Sequence, residues 1–459
     1  MISSDQSGFV KGRFIGENTR LLYDVMNYTE KHKLPGLLLM IDFEKAFDTL
    51  SFKFIKETLS FFNFGPMFKK WISLFAKNIK TAVQLNGFLS NFFEIERGCR
   101  QGDPISPYIF ILCAEILAIK IRSSTDIKGF FINNVEYKIS QFADDTSLLL
   151  DGSDSSLNKT LDVLHKFSII SGLKVNFDKT HVIWLGIHKY STRSIKTKWK
   201  LKWGGTSFKL LGIQFHVDLD KMISINFTEK NDRIKNSIKF WDRRELTPIG
   251  RITVVKSILL PLLTHLFMSL PNPNIQVLQE INKIFHDFVW GGRPKIKSSV
   301  FIKEFKDGGL KMIDTVSYMK SLKLTWFRRL LIGSDKKCFT FVNNLFNYDK
   351  IFMFGKCYLE GECKMLFNYF WKDVLLAYSD FIDNMKITTI EQFVNCPLFY
   401  NNNILIDRKP VFIKTMYENG FYFISDIMNN NGHFISIENL NTRLGTNIIF
   451  LLFEGLKKL

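Results

Sequence analysis

"QFADDTSLLL", Gln141 to Leu150, sets two adjacent acids, Asp144 and Asp145, between residues patterned as a half-buried strand. Strand side chains alternate between faces, so one of two neighbouring carboxylates points where charge is costly unless something offsets it. A bare acid pair more often caps a hairpin or faces solvent. A third carboxylate changes the reading, because Asp42 ends the apolar run "LLLMI" far upstream. If the two strands lie side by side, the acids share divalent cations, since Mg2+ neutralises repelling carboxylates through hard oxygen ligands. Two such ions about 4 Å apart activate an attacking hydroxyl and stabilise a leaving phosphate. The residues alone therefore point to metal-dependent phosphoryl or nucleotidyl transfer.

Working outward, the first part of the chain reads as mixed helix and strand. Asn18 to His32 carries Leu21, Leu22, Val25 and Met26 at helical spacing until Pro35-Gly36 stops it. Leu37–Phe43 is short, apolar and consistent with a buried strand. Ser51 caps a helix whose face holds Ile55, Leu59 and Phe62. "TAVQLNGF" and "FFEIERG" flank Asn86-Gly87, the dipeptide of tight hairpins. Asp103-Pro104 opens a helix to about Ile121. "VEYKISQFADDTSLLL" reads as two strands meeting near the acids. Ser155 to Ile170 puts Leu157, Leu161, Leu164 and Phe167 on one side, and "LKVNFDKTHVIWLG" returns as strand and turn. "FKLLGIQF" adds a strand pair. A later helix is capped by Thr247 and started by Pro248, with Ile252, Val255, Leu259 and Leu262 inward. From about Leu330 the sequence reads as helical, aromatic and Asn-rich.

The 459 residues suffice for two or three domains. Hydrophobic residues make up 46% and charged ones 23%, which supports a large core and argues against a disordered chain. The net charge of +18 points to a polyanionic partner, nucleic acid before an acidic membrane surface. From Gly186 to Lys256 the basic residues outnumber acids by more than two to one. Six cysteines are scattered without a C-x2-C pair or a zinc pattern, as expected of free thiols in a reducing compartment. The N-terminus has no apolar signal core, and the apolar runs "LLLMI" and "YIFILCAEILAI" are too short to span a bilayer. A soluble, intracellular chain is expected, in nucleus or cytoplasm.

Five stretches in order, "IDFEKAFDTL" (Ile41–Leu50), "GCRQGDPISP" (Gly98–Pro107), "QFADDTSLLL", "SGLKVNFDKT" (Ser171–Thr180) and "FKLLGI" (Phe208–Ile213), resemble the reverse transcriptase of non-LTR, LINE-type retrotransposons. "QSGFVKGRFIGENT" (Gln6–Thr19) is similar to that family's late fingers motif. "RRELTPIGRITVVKSILLP" (Arg243–Pro261) and "VWGGRPKI…KDGGLKMID" resemble the downstream part of such reading frames. The five motifs together are highly specific; any one alone would not be. The resemblance covers about three quarters of the chain.

The resemblance implies an α+β fold: a right-hand polymerase palm and fingers on an antiparallel sheet, then a helical thumb and a helical C-terminal region. The implied partition is partial fingers over 1–36, palm with fingers elements over 37–188, primer grip and basic thumb over 189–330, and a helical region of unassigned role over 331–459. Asp42 and Asp144 would be the metal-binding carboxylates with Asp145 beside them, and Phe43 would offer its carbonyl. Phe47 matches the aromatic that stacks under the incoming sugar, with ordinary core packing as the competing role. Asp48 is expected to be structural. Arg100, Gln101 and Gly102 would line the nucleotide and template, although Arg100 also suits a solvated surface charge. Asp103 reads as a helix cap. Lys174 falls where the family has a lysine near the triphosphate, with Lys179 its competitor. Leu211 and Gly212 would grip the primer, against a plain sheet edge. Trp199, Trp203, Trp241 and Trp290 lie among basic residues, where aromatics stack bases, but their spacing suits core packing better.

The implied activity is RNA-directed DNA polymerisation: extension of a DNA primer on an RNA template from deoxynucleoside triphosphates, with two Mg2+ ions or substitute Mn2+, and no membrane partner. Family members carry further fingers before "QSGF", including an "RPI" segment, so the chain is expected to be an N-terminally truncated piece of a longer element protein or a shortened copy. Two other readings stand beside it, an inactive nucleic-acid-binding remnant and a maturase-like splicing cofactor.

Overall fold

The computed structural model describes residues 1–292, 296–332, 337–343, 345–384, 388–402, 404–406, 408–429 and 433–445. They gather into two compact units: Met1–Glu229 with Lys336–Phe341, and Lys230–Asp335 with Val342–Leu459.

In the first unit the chain runs through helix α1 (Ile15–Lys31), strand β1 (Pro35–Ile41), helices α2 (Phe52–Phe61), α3 (Pro66–Phe75) and α4 (Ser106–Ser123), strands β2 (Ile139–Phe142) and β3 (Asp145–Leu150), and helix α5 (Asp154–Ser171). Strands β4 (His181–Gly186), β5 (Lys202–Trp203), β6 (Ser207–Leu210) and β7 (Ile213–His216) come next, and helix α6 (Leu219–Trp241) leads out of the unit. The main sheet has the order β5-β4-β1-β3-β2. All its pairings are antiparallel except the short β4–β5 edge. The α+β class expected from the motifs is the one observed.

Strand β1 explains why the sheet forms where it does. Pro35-Gly36 cannot extend α1, and the next residues, Gly36 to Ile41, are all buried. A central strand covered on both faces needs such a continuous apolar run rather than alternation. Leu37, Leu39 and Ile41 join one core with residues of α2, α4 and α5, while Leu38 and Met40 are buried on the other face. Each fully buried leucine contributes at most about 2 kcal/mol of transfer free energy.

Local signals set most helix ends. The Ser51 hydroxyl accepts from the Phe54 amide at the start of α2, and the Ser153 hydroxyl from the Ser156 amide at the start of α5. Helix α4 begins two residues later than its Asp103-Pro104 signal. Asp103 instead closes a turn, accepting from the Ile105 amide at 3.3 Å and the Ser106 hydroxyl at 3.0 Å, and Pro107 takes the first helical turn. "VEYKISQF" breaks at Lys138: Val135–Tyr137 pairs back with Phe130–Ile132, and only β2 joins the main sheet.

In the second unit Thr247 accepts from the Gly250 amide to cap Pro248–Val254, as read from sequence. That helix passes into a π turn, Val255–Leu259, before Pro261–Ser269 continues. The wider turn moves the inward face by one residue, so fully buried Leu263 takes the place predicted for Leu262, which is half-buried. Helices Ile275–Trp290, Thr315–Ile332 and Tyr369–Asn384 lie further along the chain. A smaller core around Leu398, Phe399, Ile424 and Leu440 takes in Ile404 and Val411, which flank a hairpin, Leu405–Ile406 with Lys409–Pro410, so the described C-terminal region is helical with a strand pair added. Among the described residues no single helix is long and apolar enough to cross a membrane; only the bent pair Pro248–Leu259 with Pro261–Ser269 matches by length and composition, and its buried leucines pack into the unit.

Candidate active site

The β1–β3 register ends at Ile41 opposite Thr146. One step further sets Asp42 against Asp145, on the face opposite the α2, α4 and α5 core. In the β2–β3 hairpin Phe142 pairs with Asp145, which leaves Ala143 and Asp144 as a two-residue turn. Three carboxylates from two distant parts of the sequence therefore meet at one end of the sheet. Asp42 is half-buried, while Asp144 and Asp145 are exposed. The Asp145 carboxyl is held above its usual range by partial burial first, then by Asp144 and Asp42. The acids are thus close enough to oppose one another's ionisation.

Backbone pairing fixes Asp42 from the other side. Its carbonyl accepts from the Asn176 amide at 2.8 Å, and its amide donates to the Thr180 hydroxyl at 3.5 Å. The Glu44 amide donates to the Lys174 carbonyl at 2.9 Å, so Phe43 and Val175 form an antiparallel bridge whose bonds run through their neighbours. That geometry leaves the Phe43 carbonyl outside the pairing. The Lys174 side chain is exposed beside this junction, as is that of Lys179.

Phe47 is half-buried on the short helix Ala46–Thr49; its ring stacks on Phe110 at 4.3 Å and meets Phe9 edge-on at 6.4 Å. It thus carries core packing on one side whatever else it does. The Cys99 amide bonds its carbonyl at 2.6 Å, tying the "GCRQGDP" loop to this helix. Gly98 has φ +97°, and a Cβ there would lie 2.7 Å from the Asp48 carbonyl, so the close approach requires glycine. Arg100, Gln101 and Gly102 are exposed on the same loop, with Gly102 at φ +83° and the Gln101 amide 3.4 Å from the Asp48 carboxylate. Leu211 and Gly212, at φ +48° and +80°, form the turn of the separate β6–β7 hairpin. Trp199 stacks on Phe177 at 6.2 Å and Trp203 lies tilted against Trp184 at 5.9 Å, both half-buried against the core of the unit. In the second unit Trp290 packs on Phe301 at 5.4 Å, and Trp241 lies under Arg244 at 4.8 Å.

The donor set suits a hard divalent cation: carboxylate oxygens, a nearby backbone carbonyl, and no thiol or imidazole among the converging groups. Among the described residues, however, no three acidic, histidine or cysteine side chains close round a common point. The acids converge without forming a ready-made cage, as mutually repelling carboxylates do before cations offset them.

Sequence reading missed four residues that shape this site. Gln6, Asn18, Asn176 and Thr180 all sit within the family-like motifs, but a neutral amide or hydroxyl whose partners lie far along the chain leaves no periodic signal.

Residues 1–215 match the family model described as reverse transcriptase (RNA-dependent DNA polymerase). The chain is 24% identical over 417 residues to the 149 kDa protein of transposon TX1 from Xenopus laevis, covering 87% of this chain and 31% of that protein. It is 26% identical over 318 residues to the retrovirus-related Pol polyprotein of the type-2 retrotransposable element R2DM from Drosophila melanogaster, covering 66% of this chain and 29% of that one. The chain thus spans about a third of the length of these curated relatives. Among solved structures, telomerase from Candida albicans aligns at 13% identity and a TM-score of 0.35 over 81% of this chain and 55% of that one. Apo telomerase from Candida tropicalis aligns at 11% and 0.37 over 74% and 57%. At those scores the likeness carries no argument.

Proposed function

We propose, from the match of residues 1–215 to the reverse transcriptase model and the similarity to non-LTR retrotransposon proteins, that this chain is the polymerase core of such an element, extending a DNA primer on an RNA template. The observation that carries the proposal is the register that sets Asp42 against Asp145 with Asp144 in the adjoining turn.

In this reading Asp42, Asp144 and Asp145, with the Phe43 carbonyl, hold two divalent cations, Mg2+ or Mn2+. Bound there, the cations would activate the primer 3′-hydroxyl and offset charge on the departing pyrophosphate. The protein's own part is placement. Phe47 supports the incoming sugar with the ring face not taken by Phe110. Arg100, Gln101 and Gly102 line the template base and nucleotide from a loop fixed to Asp48. Lys174 reaches toward the triphosphate from the segment bridged to Phe43 beside Asp42. The Leu211-Gly212 turn packs near the primer end. The basic stretch from Gly186 to Lys256 tracks the duplex backbone, where contacts weaken steeply with salt and carry little sequence information.

The test is primer extension on a primed RNA template with and without Mg2+ or Mn2+, beside Asp144→Asn. Metal-dependent extension lost in the variant is the expected result. Equal activity of variant and wild type would remove the site assignment. The second reading is a duplex-binding remnant without catalysis, which needs only the basic stretch from Gly186 to Lys256. It predicts salt-sensitive duplex binding with no extension.

A further inference from the structure

The turn that carries Asp144 is gripped by a residue from the far N-terminus. Gln6 is buried, at 1% exposure. Its Oε1 accepts from the Ala143 amide at 2.8 Å and from the Gly8 amide at 2.8 Å, and its Nε2 donates to the Ala143 carbonyl at 3.2 Å. One side-chain amide thus holds both backbone groups of the residue that precedes the acid pair. The main chain on either side is paired as well: the Gln141 amide donates to the Asp5 carbonyl at 2.8 Å and the Ser7 amide to the Gln141 carbonyl at 2.9 Å. Gly8 lies so close that a Cβ there would meet the Ala143 nitrogen at 2.4 Å, so only glycine permits the approach.

Ala143 itself sits at φ +56°, a left-handed conformation that alanine adopts at a cost and keeps only when its surroundings over-determine it. The surroundings here are built for that. The Arg13 guanidinium donates to the Gln6 carbonyl and to that of Ile2. Arg122 on α4 bridges Asp5 at 2.9 Å and Glu115 at 2.5 Å, anchoring the N-terminal segment to the helix. Asn18 on α1 donates to the Ser140 hydroxyl and the Gln141 carbonyl, each at 2.9 Å, holding β2 from behind.

We propose that Gln6 is a positioning residue for nucleotidyl transfer: by clamping both polar groups of the Ala143 peptide it fixes the turn from which Asp144 and Asp145 reach the cations. Only a side chain that accepts and donates at once, at this length, does so; glutamate keeps the acceptor, loses the donor and adds charge beside three acids. The inference rests on the polymerase reading for its consequence but not for the clamp.

Two readouts separate these. In Gln6→Ala, amide exchange at Ala143 and Gly8 speeds up at least about tenfold, while amides of α5 and β4 keep wild-type protection. In the same variant single-turnover extension falls about a hundredfold, the scale of a misplacement near 1 Å. The Mg2+ concentration for half-maximal rate rises, and duplex affinity stays within about twofold, a split that general loss of folding does not produce. Adding Ala143→Gly to Gln6→Ala restores part of the rate, because glycine adopts the turn unaided. If Gln6→Ala does not fold, Gln6→Glu serves: the Ala143 and Gly8 amides keep their acceptor and protection, while single-turnover extension falls because the Ala143 carbonyl loses its donor. Unchanged Ala143 protection and rate in Gln6→Ala, or an unchanged rate in Gln6→Glu, overturns the proposal. If the wild-type chain extends no primer, the polymerase reading fails separately, and exchange at Ala143 still decides the clamp.

Discussion

Two hairpins in the same unit turn on two residues each, and they are held in opposite ways. The hairpin at Asn86-Gly87, between Gln84–Leu85 and Phe88–Leu89, has both turn residues at positive φ, +49° and +87°, and every strand residue exposed. Its conformation comes from the dipeptide, since asparagine and glycine tolerate the left-handed region. The hairpin at Ala143-Asp144 has no such chemistry. Its alanine stands at φ +56° because Gln6, Gly8 and the paired backbone on both sides leave no alternative. A turn that states its own shape needs no neighbours; a turn that must aim acids takes its shape from the rest of the fold.

The largest expected break comes at the acids. Asp42→Asn or Asp144→Asn lowers primer extension about a thousandfold or more, the scale of losing charge stabilisation at the reacting centre. Duplex binding, measured by titration at fixed salt, stays within about twofold. Extension near wild-type level in either variant would detach the carboxylates from the chemistry.

Gly98→Ala tests a position where backbone meets backbone. With φ +97° and the Asp48 carbonyl 2.7 Å from the new Cβ, the expected cost is about 2 kcal/mol in denaturant unfolding. A cost under about 0.5 kcal/mol would mean the "GCRQGDP" loop yields freely.

The same alanine–glycine exchange, made in opposite directions, sharpens the comparison of the two turns. Gly87→Ala costs about 1 kcal/mol, confined to faster amide exchange around Gln84–Leu89. Ala143→Gly nets near zero, because relief of the left-handed alanine offsets the greater freedom of the unfolded chain. A large loss from Ala143→Gly would show that the Ala143 side chain itself, and not the grip on its peptide, supports the turn.

Asp145 provides a smaller, pH-dependent effect. Its folded-state pKa is raised, so the folded chain binds this proton more tightly than the unfolded one. The group's contribution to stability therefore declines as pH rises from the ordinary carboxylate range through the raised value. In EDTA at neutral pH, Asp145→Asn raises Tm, and the advantage vanishes in acid, where both states are protonated. Mg2+ narrows the difference by stabilising the wild type. A variant Tm at or below wild type at pH 7 would mean the three acids do not strain the fold.

Much of the molecule was legible because its determinants are local. The Ser51 and Thr247 caps, the Asn86-Gly87 turn and the continuous apolar run of β1 each lie within a few residues of the element they set. The misplaced details are those where a neighbour outvotes the local signal. Asp103 closes a turn instead of opening the first helical turn, and the π segment before Pro261 shifts the inward face from Leu262 to Leu263. Asp42, Asp144 and Asp145 could be picked out because a carboxylate at the end of an apolar strand is costly and calls for a reason. Gln6 could not, because a neutral amide buried with its bonds made costs little and leaves no such mark.

The sequence by itself determined the central strand, the caps of several helices and the candidate acids, since periodicity, capping and unpaired charge act at short range. Only the tertiary structure decided that Asp42 faces Asp145, that Phe47 gives one ring face to Phe110, and that the N-terminal segment grips the acidic turn. Those outcomes depend on strand register, helix packing and long-range backbone pairing, which bring residues far apart in the sequence to within on the order of a few ångströms.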